Sequence, residues 1–287
     1  MKLTKPYQLL FRELEKNIYC TYNVYDYIIK EDMPPEDKKN VIMKVDVDLG
    51  LHLSLELAFI LKEKNINASF YFLTFPNRYY NIWKSDIPKI ISNMGFEVGL
   101  HTDHYYEQII SGKDAIEGIK EDVKRLSNLI GKPIHGMVYH GHKEIDALGR
   151  TNWEIYKYSK PEDLGLFYHD GYNTPYTNNR TDYSLSDFMS VAGAWRYSPH
   201  YPIKTLRRMK AGESILIEIH PHNAFEYWKN WDYSYDEKMP ERESSIIESL
   251  INFWKVKYME VKYDHPKIYS LLKEVKRWRK DLSYLSK

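Results

Sequence analysis

Val41-Ile42-Met43-Lys44-Val45-Asp46-Val47-Asp48 is the first regular stretch of the chain, and its reading decides the fold. Val41–Val47 is short and rich in β-branched residues, the mark of a strand rather than a helix. Strand side chains alternate, so Asp46 and Asp48 emerge on one face. Two carboxylates on one face of a buried strand repel each other and lose hydration, and they are tolerated mainly when a cation or a proton lies between them. The alternative is a strand that ends at Val45 and leaves both aspartates as solvated turn residues.

Working outward, strands and helices alternate. Leu53–Lys64 carries helix-spaced Leu53, Leu57, Ile60 and Leu61, and Ala68–Leu73 is again strand-like. A helix is expected over Asp86–Met94, with Asp86 as cap, Pro88 in the first turn and Gly95 past the end. Phe96–Leu100 reads as a strand and Ile134–Tyr139 as another. Between them, Asp114–Ile130 is a helix with Ile116, Ile119, Val123, Leu126 and Ile130 on one face. Short apolar runs at Leu164–Tyr168, Tyr183–Phe188 and Ser214–Ile219 bring the total to about seven strands, with a helix near Ile203–Met209 before the last.

Such alternation demands a mainly parallel sheet, either doubly wound or closed as a barrel. The polar residues discriminate. The carboxyl ends of the expected strands carry Asp46 with Asp48, Leu73, His101, His140, His169 with Asp170, Asp187, and His220. A barrel assembles its site from many strand ends, whereas a doubly wound sheet concentrates it at one switch point. The expected fold is therefore α/β, a distorted (β/α)7 barrel over residues 41–241. Residues 1–40 form an N-terminal extension packed on it, a polar lead-in closed by the irregular run EDMPPEDKKN. Residues 242–287 form a C-terminal helical segment of the same domain, with Ile246, Ile247, Leu250, Ile251 and Trp254 as an apolar stripe.

Composition narrows the function. Across 287 residues, 41 Lys+Arg balance 40 Asp+Glu for a net charge of +1, which argues against nucleic acid as a partner. No apolar run of about 18 residues occurs, and the amino terminus is studded with charges where an export signal needs an apolar stretch. No membrane insertion is expected, and the single cysteine, Cys20, fits a reducing, cytoplasmic location. The 26 tyrosines suit a polar, ring-shaped ligand without proving one.

Two further constellations can carry chemistry. In Gly99-Leu100-His101-Thr102-Asp103-His104, histidines three apart follow a strand, and with a carboxylate they make a two-histidine, one-carboxylate set suited to zinc or another divalent ion. On its own this stretch is better read as a helix cap or a surface turn. In Ile217-Glu218-Ile219-His220-Pro221, His220 ends the last strand and is placed for general acid or base work, or is satisfied by the turn before Pro221. Glu218 faces either the barrel interior or the helices.

Taken together, Asp46/Asp48, His101-Thr102 and Ile217-Glu218-Ile219-His220 resemble the motifs of the polysaccharide deacetylase family, the NodB-homology domain of carbohydrate esterases, over about Val41–His222. The resemblance is nearest to a branch with an Asp-Val-Asp first motif, a His-Gly strand end (Tyr139-His140-Gly141), a downstream Asp187 and Trp195, and a final Ile-His-Pro. Val47 separates aspartates that are adjacent in the family, and Tyr105 stands where its second motif histidine falls. The family's Arg-Pro segment is replaced by residues 136–142.

The resemblance implies a metal-dependent hydrolase removing an N-acetyl or similar acyl group from an amino sugar or glycan. Asp48, His101 and His104 would hold the metal, zinc foremost, with cobalt, manganese and nickel as alternatives. Asp46 would be the base, and His220 the acid, held in the right tautomer by Asp187. His140 and His142 would lie near substrate or serve as replacement ligands. Trp195 and Tyr105, with Tyr71 and Tyr139, are candidates for contacting a sugar. The expected partner is a carbohydrate substrate, and a homo-oligomer is compatible with the sequence. Two other readings remain open: a hydrolase of non-peptide carbon–nitrogen bonds in small amides, and a non-catalytic glycan-binding or scaffold protein of a surface-polysaccharide pathway.

Overall fold

The structure is a computed structural model, and it describes residues 1–29, 35–74, 80–141, 152–157, 159–171, 181–187 and 201–225. Strand β2 (Lys39–Val47) is central, buried along nearly its whole length. The strands that follow are β3 (Ser69–Leu73), β4 (Glu97–Thr102), β5 (Gly136–Tyr139), β6 (Tyr168–His169), β7 (Tyr183–Ser186) and β8 (Ser214–Ile219). All pair in parallel in the order β6-β5-β4-β3-β2-β8-β7. Because β8 returns to lie beside β2, the strands run in chain order around a curled sheet, with a seam between β6 and β7 that is unpaired among the described residues. This is the distorted (β/α) barrel, not a doubly wound sheet, whose strand order would reverse at a switch point.

The alternation of each strand sorts its residues into two cores. Val41, Met43, Val45 and Val47 of β2, with Ile215, Ile217 and Ile219 of β8, face an outer helix layer. That layer includes α3 (Leu51–Glu63), through Leu53, Leu57 and Leu61, and α6 (Ala115–Ile130), through Ile119, Val123, Leu126 and Ile130. Asp114 caps α6 by accepting the Glu117 N–H at 3.0 Å, and Gly131 ends it at a positive φ of 72°. Ile42, Leu216, Val138, Tyr71 and Tyr168 point the other way and fill the barrel. The two tyrosine rings need room, and glycine provides it. A Cβ on Gly99 would lie 2.6 Å from the Tyr71 ring, and one on Gly136 would lie 1.9 Å from Tyr168.

Residues 1–29 are more regular than the expected polar lead-in. They form α1 (Lys5–Leu14), β1 (Tyr19–Tyr22) and α2 (Val24–Ile29). Strand β1 pairs with the beginning of β2, from Tyr19↔Lys39 to Tyr22↔Ile42, while β3 pairs with its end. Tyr22, Val24, Tyr27 and Ile28 then close the amino end of the barrel. Most charges of this segment lie on outward faces, the buried Glu13 is paired with Lys16 and Arg207, and Tyr7, Leu10 and Phe11 of α1 are fully buried.

The sixth strand is also displaced. The apolar run at Leu164–Tyr168 begins as the last residue of a 3-10 turn, Pro161–Leu164, and pairing starts only at Tyr168. Gly165, at φ 74°, breaks the run, and Leu164 and Leu166 pack into the outer layer instead. At α4 (Ile87–Asn93) the side chain of Ser85, rather than that of Asp86, accepts the Ile87 N–H, at 3.2 Å. The expected helix at Ile203–Met209 is α7 (Tyr201–Arg208), and residues 242–287 lie outside the described residues.

Candidate metal and acid–base centre

The titratable groups at the carboxyl ends of the strands form three linked sets. In the first, Asp48 leaves β2, His101 is near the end of β4, and His140 follows β5, its N–H donating to Thr102 O at 2.8 Å. One ligand atom from each of Asp48, His101 and His140 lies within 4.8 Å of the others. The hydrogen bonds fix how each ring is presented. A carbonyl only accepts, so at 3.2 Å from Val138 O it is His101 Nδ1 that carries the proton. In the neutral ring, Nε2 then turns its lone pair toward Asp48 Oδ1 at 3.1 Å. That buried oxygen makes no hydrogen bond.

His140 Nδ1 likewise donates to Asp103 Oδ2 at 3.3 Å, and Asp103 is held through its other oxygen by Asn152 Nδ2 at 2.6 Å. A carboxylate oxygen and imidazole lone pairs converging in a buried site repel one another unless a cation or proton joins them. The residues present therefore fit a divalent ion with two histidines and one carboxylate, backed by a carboxylate–histidine pair that orients a ligand.

His104, expected in this set, faces elsewhere. It starts α5 (His104–Ser111), and the helix directs its side chain to α6, where Nε2 lies 3.2 Å from Asp122 and the ring covers Gly118. Its Nδ1 sits 2.9 Å from Thr102 Oγ1. Since β4 ends at Thr102, the adjacent parallel strand is better placed to supply the second histidine, and His140 stands there.

The second set surrounds Lys44. It lies two residues before Asp46, hence on the same face of β2, with its side chain only 5% exposed. Its ammonium bonds Asp46 Oδ2 at 3.0 Å and Glu218 Oε2 at 2.9 Å and stands 4.0 Å from Asp170 Oδ2. Glu218 thus faces the interior, where Ser186 Oγ donates to it at 2.7 Å. Asp170 accepts the Tyr139 N–H at 3.3 Å. One ammonium serves three carboxylates, and the charges respond unequally. Burial raises the carboxyl of Asp46 despite Lys44 and pushes Asp170 up to about 6, while for Glu218 the attraction of Lys44 and His220 overrides burial and holds it low.

The third set is His220 and Asp187. His220 Nδ1 donates to Asp187 Oδ1 at 2.5 Å, and the His220 backbone N–H donates to Asp187 Oδ2 at 2.9 Å. Tyr7 of α1 also donates to Asp187 Oδ2. Nε2 of His220 is left 3.5 Å from Asp48 Oδ2. Burial alone would lower the imidazole, but Asp187 and Asp48 outweigh it and hold it up to about 10. Asp48 answers in kind: burial works against it, yet His220 and His101 keep it well below the ordinary carboxylate range.

With this geometry in place, the comparisons add distant neighbours. No protein-family model matches the chain, and no curated protein matches it. Among solved structures it is similar to the polysaccharide deacetylase Bc1974 from Bacillus cereus, at 17% identity and TM-score 0.38 over 63% of this chain and 78% of that one. It is also similar to the Xyl-CE4 domain of a multidomain xylanase from the hindgut metagenome of Trinervitermes trinervoides, at 14% identity and TM-score 0.35 over 76% and 83%. A third is BA3943, a CE4 family pseudoenzyme from Bacillus anthracis, at 12% identity and TM-score 0.28 over 76% and 60%.

The remaining sequence candidates divide. Tyr105 is buried, and its hydroxyl donates to Glu154 Oε2 at 2.8 Å, tying α5 to the turn at Asn152–Lys157. Tyr71 is inside the barrel and bonds the Tyr168 hydroxyl. His142 and Trp195 lie outside the described residues. Lys44, Asp103 and Tyr7 were not singled out from the sequence. Lys44 was findable by the same alternation that pairs Asp46 with Asp48, whereas Tyr7 reaches the site only through tertiary packing.

Proposed function

We propose that the chain is a metal-dependent hydrolase that removes an N-acetyl or similar acyl group from an amino sugar or glycan. The observation that carries this reading is the convergence of Asp48, His101 and His140 beside an acid–base pair, Asp46 and His220. A bound divalent ion, with zinc the first candidate, supplies Lewis-acid polarisation of the acyl oxygen and activation of water.

The chain's own residues do the rest. Asp46 Oδ1 is buried and makes no hydrogen bond, so it is placed to accept the proton of the attacking water while Lys44 fixes Oδ2. His220 carries its proton on Nε2 when charged, and Nδ1–H to Asp187 fixes the ring. It is the group that protonates the leaving amine as the carbon–nitrogen bond breaks. Of the carboxylates that sustain its charge, Asp187 is the foremost and still does so once Asp48 is committed to a cation. Low dielectric strengthens each of these interactions.

Location stays an expectation; no helix among the described residues is long and apolar enough to cross a membrane. The test is acetate release from N-acetylglucosamine oligomers by the zinc-loaded chain, by the chelated chain and by the chelated chain after zinc is restored. Release that falls with chelation and returns with zinc is expected. A chain that binds zinc stoichiometrically but releases acetate from no amino sugar refutes the sugar assignment, and assay on small amides then decides between the hydrolase classes.

A further inference from the structure

Two groups of ligating side chains meet at the carboxyl end of the barrel, and they differ in what lies between them. The first, Asp48, His101 and His140, is described above. The second is Asp46, Glu218 and His220, whose ligand atoms also lie within 4.8 Å of one another. Two carboxylates and an imidazole at that spacing are a donor set suited to a second divalent ion. In this chain the space already holds a cation. Lys44 Nζ touches both carboxylates, at 3.0 and 2.9 Å, with Asp170 4.0 Å away.

We propose that Lys44 is the barrel's built-in second cation: its ammonium takes the seat between Asp46 and Glu218 that a divalent ion would otherwise fill, and so limits the chain to one ion at Asp48, His101 and His140. The inference rests, for that one ion, on the reading of the previous section.

Three observations support it. First, the ammonium is nearly fully buried and two of its bonds go to carboxylates, so it meets the requirement that a buried charge be paired. Second, the walls of the seat do not depend on Lys44: Ser186 holds Glu218, the Tyr139 N–H holds the neighbouring Asp170, and the backbone of Asp46 is set by the central strand β2. The seat would therefore persist if the ammonium were removed. Third, Asp46 Oδ1 is buried with no hydrogen bond, a donor position that the lysine leaves unused. Lysine offers a single charge and three N–H donors, where a divalent ion offers twice the charge but needs several donors arranged around it. With Lys44 present, Asp46 keeps one oxygen for a proton.

The experiment counts ions. Zinc is titrated into the full chain and into Lys44→Met, Lys44→Arg and the double variant Lys44→Met/Glu218→Gln. Ions per chain are measured by atomic absorption after gel filtration, alongside the thermal midpoint. Wild type and Lys44→Arg should hold one ion, Lys44→Met two, and the double variant one again. Lys44→Met should also gain more thermal stability than wild type on adding zinc.

Equal counts for wild type and Lys44→Met overturn the proposal, as does an extra ion that persists in the double variant. If wild type holds no ion, the Asp48 seat is wrong, while a gain of one ion in Lys44→Met still decides in favour of the Lys44 seat. Should Lys44→Met be unfolded without metal, it is refolded in zinc. Recovery with one ion more than wild type supports the proposal, and failure to recover overturns it.

Discussion

The two ends of the barrel are built on the same strands and are buried to the same degree, yet they hold opposite kinds of polar chemistry. At the amino end, Glu97 accepts hydrogen bonds from Tyr168 Oη at 2.7 Å, from Ser69 Oγ and from the Tyr25 N–H at 3.0 Å. Burial raises its carboxyl, a direction that favours the neutral form. At the carboxyl end the balance tips the other way: Glu218 and Asp48 are held low and His220 high, one oxygen each of Asp46 and Asp48 makes no hydrogen bond, and the imidazoles of His101 and His140 converge on Asp48. A fold has no reason to keep the second arrangement for stability alone, because an unpartnered buried polar atom costs about 1–3 kcal/mol. The contrast separates a plug from a site.

The largest expected effect is on the ion. His101→Ala and His140→Ala should each abolish stoichiometric zinc binding and hydrolysis together, while His104→Ala, which faces α6, should keep the ion and lose only stability. Equilibrium dialysis with zinc checks this, and loss of the ion in His104→Ala would put the sequence-based ligand set back in place of the geometric one. Next, Asp46→Asn should retain zinc yet lower acetate release by roughly a hundred- to ten-thousand-fold, the range for a removed general base. A loss under about threefold would take Asp46 out of the reaction.

At the opposite end the same kind of change should touch only the fold. Gly136→Ala places a methyl into the Tyr168 ring, and overpacking of this kind costs about 1–3 kcal/mol or more. Urea denaturation should show that loss with the zinc count unchanged; an altered count would mean the plug and the site are one unit.

The smallest effect concerns Asp170, raised to about 6 from an ordinary value of 3.8. A carboxyl raised in the folded state binds more protons there than in the unfolded chain, so stability declines as pH climbs from about 4 to about 6 and stays reduced above. Asp170→Asn keeps an oxygen for the Tyr139 N–H and removes this dependence. It should narrow the difference in unfolding free energy between pH 4 and pH 7 by roughly 1–3 kcal/mol. An unchanged difference would show that Lys44 already holds Asp170 ionised.

The sequence was most legible where burial is one-dimensional. Strand β8 reads directly from Ser214–Ile219, and α6 from its apolar stripe, because each needs only its own periodicity. Asp48, His101 and His220 were legible as strand-end residues for the same reason. Reading broke down where a neighbour decides. Leu164–Tyr168 has the composition of a strand, but Gly165 and the packing of Leu164 turn it. His104 stands three residues after His101, a spacing that can serve a metal, while the histidine that converges with Asp48 and His101 is set by which strand lies next to β4. Lys44 carried a signal in its parity with Asp46, but a lone lysine within a strand has no spacing rule to mark it.

Tyr7 gives the molecule a timing constraint. Its hydroxyl reaches Asp187 across 180 residues of chain, and Thr4 N–H donates to Ala224 O at 2.8 Å, so the first helix is fastened to the last described turns. A ribosome releases α1 long before β7 and β8 exist. The helix must therefore wait, with Tyr7, Leu10 and Phe11 exposed, until the barrel's last strands arrive. Contacts so remote along the chain slow folding. The clamp on Asp187, and with it a correctly held His220, is thus among the last features a newly made chain acquires, so hydrolysis should lag behind barrel formation during synthesis.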